Sequence, residues 1–185
     1  ENENAAGDRQ EVPDDRLVVS RAGKIRNVVV TLEGIREGKA WAGQRPQLTN
    51  KGGRFVPHVQ VVRTATQLEI VNRDPVLHNT HGYQDGRTVF NLAQPNVDQV
   101  IKRPLRRPGL IDIMCDSHDW MSAWIVVRDD PYVTVTGEDG AYAIGDVPPG
   151  TYALSAWHEK LGRQQVQVTV KAREQKKVNV TFPVK

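Results

Sequence analysis

Cysteine is almost absent from this sequence, with Cys115 alone among 185 residues. An intramolecular disulfide is therefore excluded. Long apolar runs are also missing, since no stretch approaches the roughly 18 continuous apolar residues that a membrane helix needs. The formal net charge is only +3, and no basic-aromatic motif is present, so nucleic-acid binding is not expected. The composition, 38% hydrophobic and 25% charged, is that of a globular protein.

Three segments follow from the composition along the chain. Residues 1–15 are polar and carry six acidic side chains, which predicts a disordered tail. No secretory signal is visible there, so the protein is either cytosolic or numbered after a signal was removed. A boundary near Asp129-Asp130-Pro131 divides the rest into domains at 16–130 and 131–185, and the smaller one is expected to need packing support.

The first domain reads as β structure throughout. Runs rich in β-branched residues, punctuated by glycine, predict strands, and helical periodicity is absent. The predicted strands are Leu17–Val19, Ile25–Leu32, Val59–Arg63, Gln67–Asn72, Leu110–Met114 and Ala123–Arg128. The third and fourth are expected to pair through a short turn. Residues 34–54 read as a long loop, and residues 73–109, which contain four prolines, as irregular.

The second domain shows short alternating strands with turn signals about every 8–12 residues, a pattern typical of a small β-sandwich. Its strand QVQVTV alternates cleanly, so one face of that strand should be buried and the other exposed to water. No carboxylate pair or nucleophile in this domain is arranged for catalysis. A docking or scaffolding role is therefore favoured for it.

The segment Met114-Cys-Asp-Ser-His-Asp-Trp-Met121 carries the chemistry. Cys115, His118 and Met121 follow C-x2-H-x2-M spacing at the end of a predicted strand. A thiolate, an imidazole and a thioether form a soft ligand set, which favours copper over magnesium, calcium or manganese. A type 1 copper site needs a second imidazole from elsewhere, and His78 offers it in a loop directly after a strand.

Zinc is the main alternative metal, because C-x2-H alone also fits a zinc site. Zinc would normally take a further N, S or O ligand and often a second cysteine, whereas methionine is a poor zinc ligand. A catalytic zinc ion held by one cysteine and two histidines stays open, as does a buried cysteine without any metal.

The stretch FVPHVQVV…LEIVNRDPVLHNTHGY…GLIDIMCDSHDWMSAWIVV resembles the cupredoxins, the blue copper proteins. The pair His78-Asn79 matches their first ligand histidine and the asparagine after it, and Cys115, His118 and Met121 match their ligand loop in order. The resemblance implies a Greek-key β-barrel or sandwich with a strong His-Cys-His set and a long, weak axial Met. Only Asp119 and Trp120 separate His118 from Met121, fewer residues than in plastocyanin-like loops, so a green or red rather than blue site is possible.

The stretch VTVTGEDGAYAIGDVPPGTYALSAWHEKLG resembles the carboxypeptidase regulatory-like, transthyretin-like β-sandwiches. The order of the two domains resembles bacterial proteins labelled as methylamine utilization proteins. The fold class expected for the whole chain is therefore all-β, a Greek-key cupredoxin barrel or sandwich followed by a small transthyretin-like sandwich.

Three other histidines and two neighbouring side chains are further candidates. His58, His81 and His158 either are ordinary loop or surface residues or form a second metal site, and imidazole suits copper and zinc alike. Asn79 and Trp120 are expected to surround the ligands, where such groups tune the potential and exclude water.

The expected function is one-electron transfer by a single copper ion, without enzymatic activity. The alternatives are periplasmic copper binding or delivery and a copper enzyme that uses the second histidine set. An electron carrier implies a redox partner protein, a cytochrome or an oxidoreductase. The resemblance implies an exported, periplasmic protein whose signal has been removed, a compartment in which one unpaired cysteine is tolerable when copper occupies it.

Overall fold

The computed structural model describes residues 12–35 and 37–183. These residues contain strands and no helix, which confirms the predicted all-β fold class. None of them forms a helix with the length and apolar character needed to cross a membrane. Most of the predicted disordered tail, residues 1–11, lies outside the described residues.

Thirteen strands form within the described residues. In chain order they are β1 Val29–Glu33, β2 Gln47–Asn50, β3 Phe55–Val56, β4 Val59–Arg63, β5 Gln67–Asn72, β6 His78–Gln84, β7 Arg87–Gln94, β8 Val100–Pro104, β9 Gly109–Cys115, β10 His118–Arg128, β11 Val133–Val135, β12 Gly150–His158 and β13 Gly162–Val170. The described residues fall into two compact units, one made of residues 12–15 and 43–129 and the other of residues 16–35, 37–42 and 130–183.

The first unit is a sandwich of two sheets. One sheet has the order β4-β10-β9-β6-β7 and the other β3-β2-β5-β8. The β4–β10 and β2–β5 pairs are parallel, so the chain crosses between the sheets rather than winding as simple hairpins. Side chains from both sheets, among them Leu48, Ile70 and Ile113, share one buried core.

Strand periodicity places two sulfur atoms in that core. In β9 the side chains of Ile111, Ile113 and Cys115 are buried while those between them are more exposed, because successive side chains of a strand point to opposite faces. In β10 the same alternation buries Met121 and Ala123. Cys115 and Met121 consequently belong to the same apolar cluster.

Three sequence expectations for the first unit are wrong. Residues 34–54 were expected to form a long loop, yet they contain β2. Residues 73–109 were expected to be irregular, yet they contain β6, β7 and β8. Val59–Arg63 and Gln67–Asn72 were expected to pair, yet β4 joins β10 in one sheet and β5 joins β2 and β8 in the other. Partner choice depends on residues distant in sequence, which local patterns do not reveal.

The second unit forms around a four-stranded sheet with the order β11-β1-β12-β13. Here the boundary differs from the expectation that residues 16–130 form one domain, because residues 16–35 and 37–42 group with the second unit. The physical reason is strand pairing: β1 lies between β11 and β12 and pairs antiparallel with both. Val30, Leu32 and Leu154 then share one apolar core.

Replacing Tyr142 by phenylalanine is expected to lower the stability of the second unit by about 1 kcal/mol at neutral pH, the usual value of one hydrogen bond. The Tyr142 hydroxyl donates to the backbone oxygen of Val178 over 2.8 Å. Burial raises the pKa of Tyr142 above its usual value. The stabilisation by Tyr142 is therefore complete at pH below its pKa in the unfolded state, and it disappears as pH rises through its pKa in the folded state. Amide hydrogen exchange in β12, compared for the two proteins at pH 8 and at pH above 10, should show the difference shrinking. A difference that stays constant would contradict this account.

Candidate metal centre

Three metal-binding atoms from separate parts of the first unit converge at one end of the five-stranded sheet. The Sγ atom of Cys115 lies 3.5 Å from Nδ1 of His118 and 3.9 Å from Nδ1 of His78. The two Nδ1 atoms lie 3.2 Å apart. Within residues 12–35 and 37–183, these three side chains form the one group of three or more His, Cys, Asp and Glu residues whose ligand atoms could share a metal ion.

Strand order explains why these residues meet. Cys115 is the last residue of β9, His118 is the first of β10, and His78 is the first of β6. Strand β9 lies between β10 and β6 and is antiparallel to both. The end of β9 therefore lies beside the beginnings of its two neighbours. The predicted ligand loop is accordingly only a two-residue turn, Asp116-Ser117, between strands.

The spacing of the three atoms fits a shared ion. Bonds of about 2.0–2.3 Å to one centre, at angles of about 100–130°, separate neighbouring ligand atoms by about 3.1–3.9 Å. The three observed separations, 3.2, 3.5 and 3.9 Å, fall within that range. One thiolate with two imidazoles is a donor set suited to copper.

Asp74 holds His78 from the far side of its ring. The carboxylate Oδ2 lies 2.9 Å from Nε2 of His78, and both residues are buried. Burial alone would raise the pKa of Asp74, but hydrogen bonds from the backbone of Gly53 and Gly52 and from His78 outweigh it, so the pKa is lowered. An ionised Asp74 accepts a hydrogen bond from the N–H group at Nε2. The proton therefore stays on Nε2, and the lone pair of Nδ1 is directed toward Cys115.

His118 is the more accessible imidazole. It is partly exposed, whereas His78 is fully buried. Its pKa lies below the usual histidine value, first because burial disfavours the charged ring and second because of the nearby His78 charge, partly offset by Asp74. A neutral ring is the form that can donate a lone pair to a metal. The Trp120 ring packs edge-on against it, with centroids 5.1 Å apart.

Asn79 ties the two ligand segments together. Its Oδ1 accepts the backbone N–H of Asp116 at 2.6 Å, and its Nδ2 donates to the Asp116 carboxylate at 2.7 Å. The Asp116 carboxylate also contacts His81 and Asn91. These contacts, with that of His81 the largest, lower the pKa of Asp116 against a smaller opposing effect of burial. The turn after Cys115 is thereby anchored to the residue after His78.

Met121 is 1% exposed and lies in the apolar cluster that contains Cys115. The three histidines expected for a second site occupy other surroundings. Nδ1 of His58 lies 3.0 Å from the backbone oxygen of Ser122, the ring of His81 contacts Asp116 and Thr88, and Nδ1 of His158 accepts from the backbone of Lys160. None of the three belongs to the group formed by His78, Cys115 and His118.

Sequence reasoning missed the contribution of Asp74. Asp74 lies four residues before His78 in a segment read as an irregular loop. Side chains at this spacing meet regularly only in a helix, and no helix was expected there, so no contact was predicted. The glycines that bind Asp74 were likewise read only as part of a loop. The available signal was a carboxylate so close in sequence to a predicted histidine ligand, because ligand histidines commonly donate their second ring N–H to a carboxylate.

Residues 122–183 match the family model of the carboxypeptidase regulatory-like domain. No curated protein sequence matches the chain.

Three solved structures illustrate the similarity at the level of the fold. A purple cupredoxin from Nitrosopumilus maritimus is 20% identical with a TM-score of 0.40, and the match covers 45% of this chain and 99% of that one. Amicyanin from Paracoccus versutus is 13% identical with a TM-score of 0.42, covering 54% and 97%. A copper-containing nitrite reductase from Thermus scotoductus is 19% identical with a TM-score of 0.41, covering 54% and 25%. These similarities each cover about half of this chain or less, and the match to the carboxypeptidase regulatory-like family model covers residues 122–183.

Proposed function

We propose that this protein is a mononuclear, type 1-like copper protein that transfers single electrons. His78, Cys115 and His118 would be the strong ligands of the copper ion, and Met121, which lies in the same apolar cluster as Cys115, would be a weaker one. The observation that carries the proposal is the convergence of one sulfur and two Nδ1 atoms with separations of 3.2–3.9 Å. Copper in such a site would supply one-electron redox chemistry.

The contribution of the protein is rigidity. The three ligands occupy the ends of hydrogen-bonded strands, and Asp74 and Asn79 hold them from outside. Side chains fixed by packing and by hydrogen bonds to outer partners keep one geometry in both oxidation states. Small rearrangement on gain or loss of an electron suits an electron carrier. We therefore propose a carrier rather than an enzyme.

Copper binding and delivery is the second candidate function. The partial exposure of His118 favours it, because a ligand at the surface can be exchanged for one from a partner. A carrier needs a redox partner, a cytochrome or an oxidoreductase, and a delivery protein needs a copper acceptor. For either function we propose a periplasmic location, where bound copper protects the single thiolate from oxidation. A second metal site at His58, His81 and His158 stays a prediction.

Copper titration of the purified protein tests the proposal. We expect about one cupric ion per chain, an intense thiolate-to-copper absorption band and a single electron paramagnetic resonance signal from one site. Zinc, added as a control, should compete for the site without giving the band. An electron carrier should retain its copper through repeated reduction and oxidation in the presence of a chelator, whereas a delivery protein should lose it. Failure to bind cupric ion would overturn both functions.

A further inference from the structure

The hairpin between β2 and β3 contributes no metal ligand, yet it contacts the supports of both imidazoles. Its tip is Gly52-Gly53, with φ of +61° and +68°. Two successive residues with positive φ form the type I′ turn that joins two antiparallel strands, and glycine adopts this conformation without steric cost. In this geometry the two backbone N–H groups point to the same side of the turn.

Asp74 occupies the position to which both N–H groups point. Gly52 donates to Oδ1 over 2.7 Å and Gly53 donates to Oδ2 over 3.1 Å. The same Oδ2 atom accepts a hydrogen bond from His78, with 2.9 Å between Oδ2 and Nε2. Asp74 is 6% exposed, so its charge is stabilised by these donors rather than by water. The hairpin tip therefore helps to hold the carboxylate that orients His78.

The other side of Gly53 supports the second imidazole. Its backbone oxygen accepts the indole N–H of Trp120 at 3.0 Å. The Trp120 ring packs edge-on against His118 at 5.1 Å between centroids and 62° between planes. One buried residue, Gly53, thus bonds through its N–H toward His78 and through its carbonyl toward His118.

From this arrangement we infer that the Gly52-Gly53 tip is a shared brace that positions both imidazoles, so that Asp74 acts on His118 as well as on His78. The chain of contacts runs from His78 to Asp74, through Gly53, to Trp120 and His118. This inference rests on the proposed function, because it treats the two histidines as metal ligands. The brace itself exists in the metal-free protein and can be tested there.

The first test uses copper-free protein and a matched pair of glycines. Gly52→Ala places a Cβ at φ +61° and Gly86→Ala places one at φ +71° in the β6–β7 hairpin, and neither Cβ would meet an atom within 4 Å. A left-handed alanine is strained to the same extent at both positions. In either hairpin this strain should shift the equilibrium toward the open turn about fivefold. We expect Gly52→Ala to raise the hydrogen-exchange rate of the Trp120 indole N–H about fivefold. Gly86→Ala should change that rate less than twofold.

Asp74→Asn extends the same measurement. An amide at this position presents N–H groups to at least one of the three donors that now face the carboxylate, so the tip should loosen and Trp120 exchange should again rise. Unchanged exchange of Trp120 in both Gly52→Ala and Asp74→Asn would overturn the brace. That result would not depend on whether copper binds at all.

A double-mutant cycle tests the brace with copper bound. Asp74→Asn and Trp120→Phe each cut the chain of contacts once, and phenylalanine retains a ring against His118. If one brace serves both rings, the double variant should release copper at about the rate of the faster single variant. Copper release that accelerates by the product of the two single effects would mean independent supports and would contradict the inference. Absence of copper binding by the unaltered protein would refute the proposed function and leave the metal-free result valid.

Discussion

Replacing Cys115 by serine abolishes the thiolate-to-copper absorption band and weakens cupric ion binding by more than about 100-fold. Loss of an outer partner of a metal ligand typically costs 10–100-fold in affinity, and loss of the thiolate itself should cost more. The hydroxyl of serine stays protonated where a thiol ionises, so neither its charge nor its polarizability replaces the sulfur. Visible absorption and copper titration measure the two effects.

The neighbouring residue supplies the control for this prediction. Met114 directly precedes Cys115, but its side chain points to the opposite face of β9 and is 40% exposed. Met114→Ala should therefore keep both the band and the affinity. Cys115→Ala separates ligand loss from the cost of burying a hydroxyl, because alanine places no polar group in the core. An undiminished band in Cys115→Ser would show that the Cys115 thiolate does not bind copper, and it would refute the type 1-like proposal.

The candidate ligands could be proposed from the sequence because most of them are close together in it. Cys115 and His118 are three residues apart, and the register Cys115↔His118 makes them direct neighbours across β9 and β10. A pattern this short can be recognised in the sequence without knowledge of the rest of the fold. His78 required more, since it reaches the same place only because β6 pairs with β9. The resemblance of the His78-Asn79 pair supplied that information.

The strands around His78 escaped sequence reasoning for physical reasons. The first four residues of β6 are His, Asn, Thr and His, and asparagine is depleted in strands generally. Three of these four side chains are buried. Asn79 donates to Asp116 and Thr80 donates to Gln94, so tertiary contacts override the local preference. Gly82 in the same strand also reads as a break. A Cβ there would lie 2.6 Å from the Phe90 ring, so the glycine makes room for a core aromatic.

The domain boundary shows the same limit at larger scale. Residues 16–35 and 37–42 lie in the chain between two segments of the first unit but group with the second unit, because β1 enters a sheet whose other strands follow residue 130. Composition changes mark where a chain leaves one unit, and they carry no information on which earlier segment returns to it. Long-range pairing of this kind is specified by the complementarity of whole sheet faces.

The metal-binding end of the first unit rests on buried polar side chains, which makes its geometry specific. Asn72 donates to the backbone oxygens of Val76 and Gln94, and its own Oδ1 accepts the backbone N–H of Asp74. A fully bonded polar network stabilises one arrangement, whereas a partly broken one is costly at low dielectric. The position of Asp74, and through it that of His78, is therefore set by bonds that tolerate little displacement.

Replacing Gln94 by leucine is expected to destabilise the first unit by about 3–5 kcal/mol, the sum of several buried groups left without partners at about 1–3 kcal/mol each. Gln94 is fully buried, and its Oε1 accepts from Asn50 and Thr80. Its Nε2 donates to the backbone oxygens of Ile70 and Gln99. Leucine fills a similar volume and satisfies none of these four groups. Amide hydrogen exchange in β9 of the copper-free protein measures the loss in the first unit alone.

Two further variants determine whether hydrogen bonding or packing causes this loss. Gln67→Leu makes the same change at an exposed position of β5 and should stay within about 0.5 kcal/mol of the unaltered protein. Gln94→Glu keeps the Oε1 acceptor but replaces the donating Nε2 by a second oxygen, so at neutral pH it should also destabilise the first unit. Burial raises the pKa of such a carboxyl group above its unfolded value, and stability should therefore be greatest below the unfolded pKa and decline as pH rises through the folded one. If Gln94→Leu cost no more than Gln67→Leu, the network would not be what stabilises this end of the sheet.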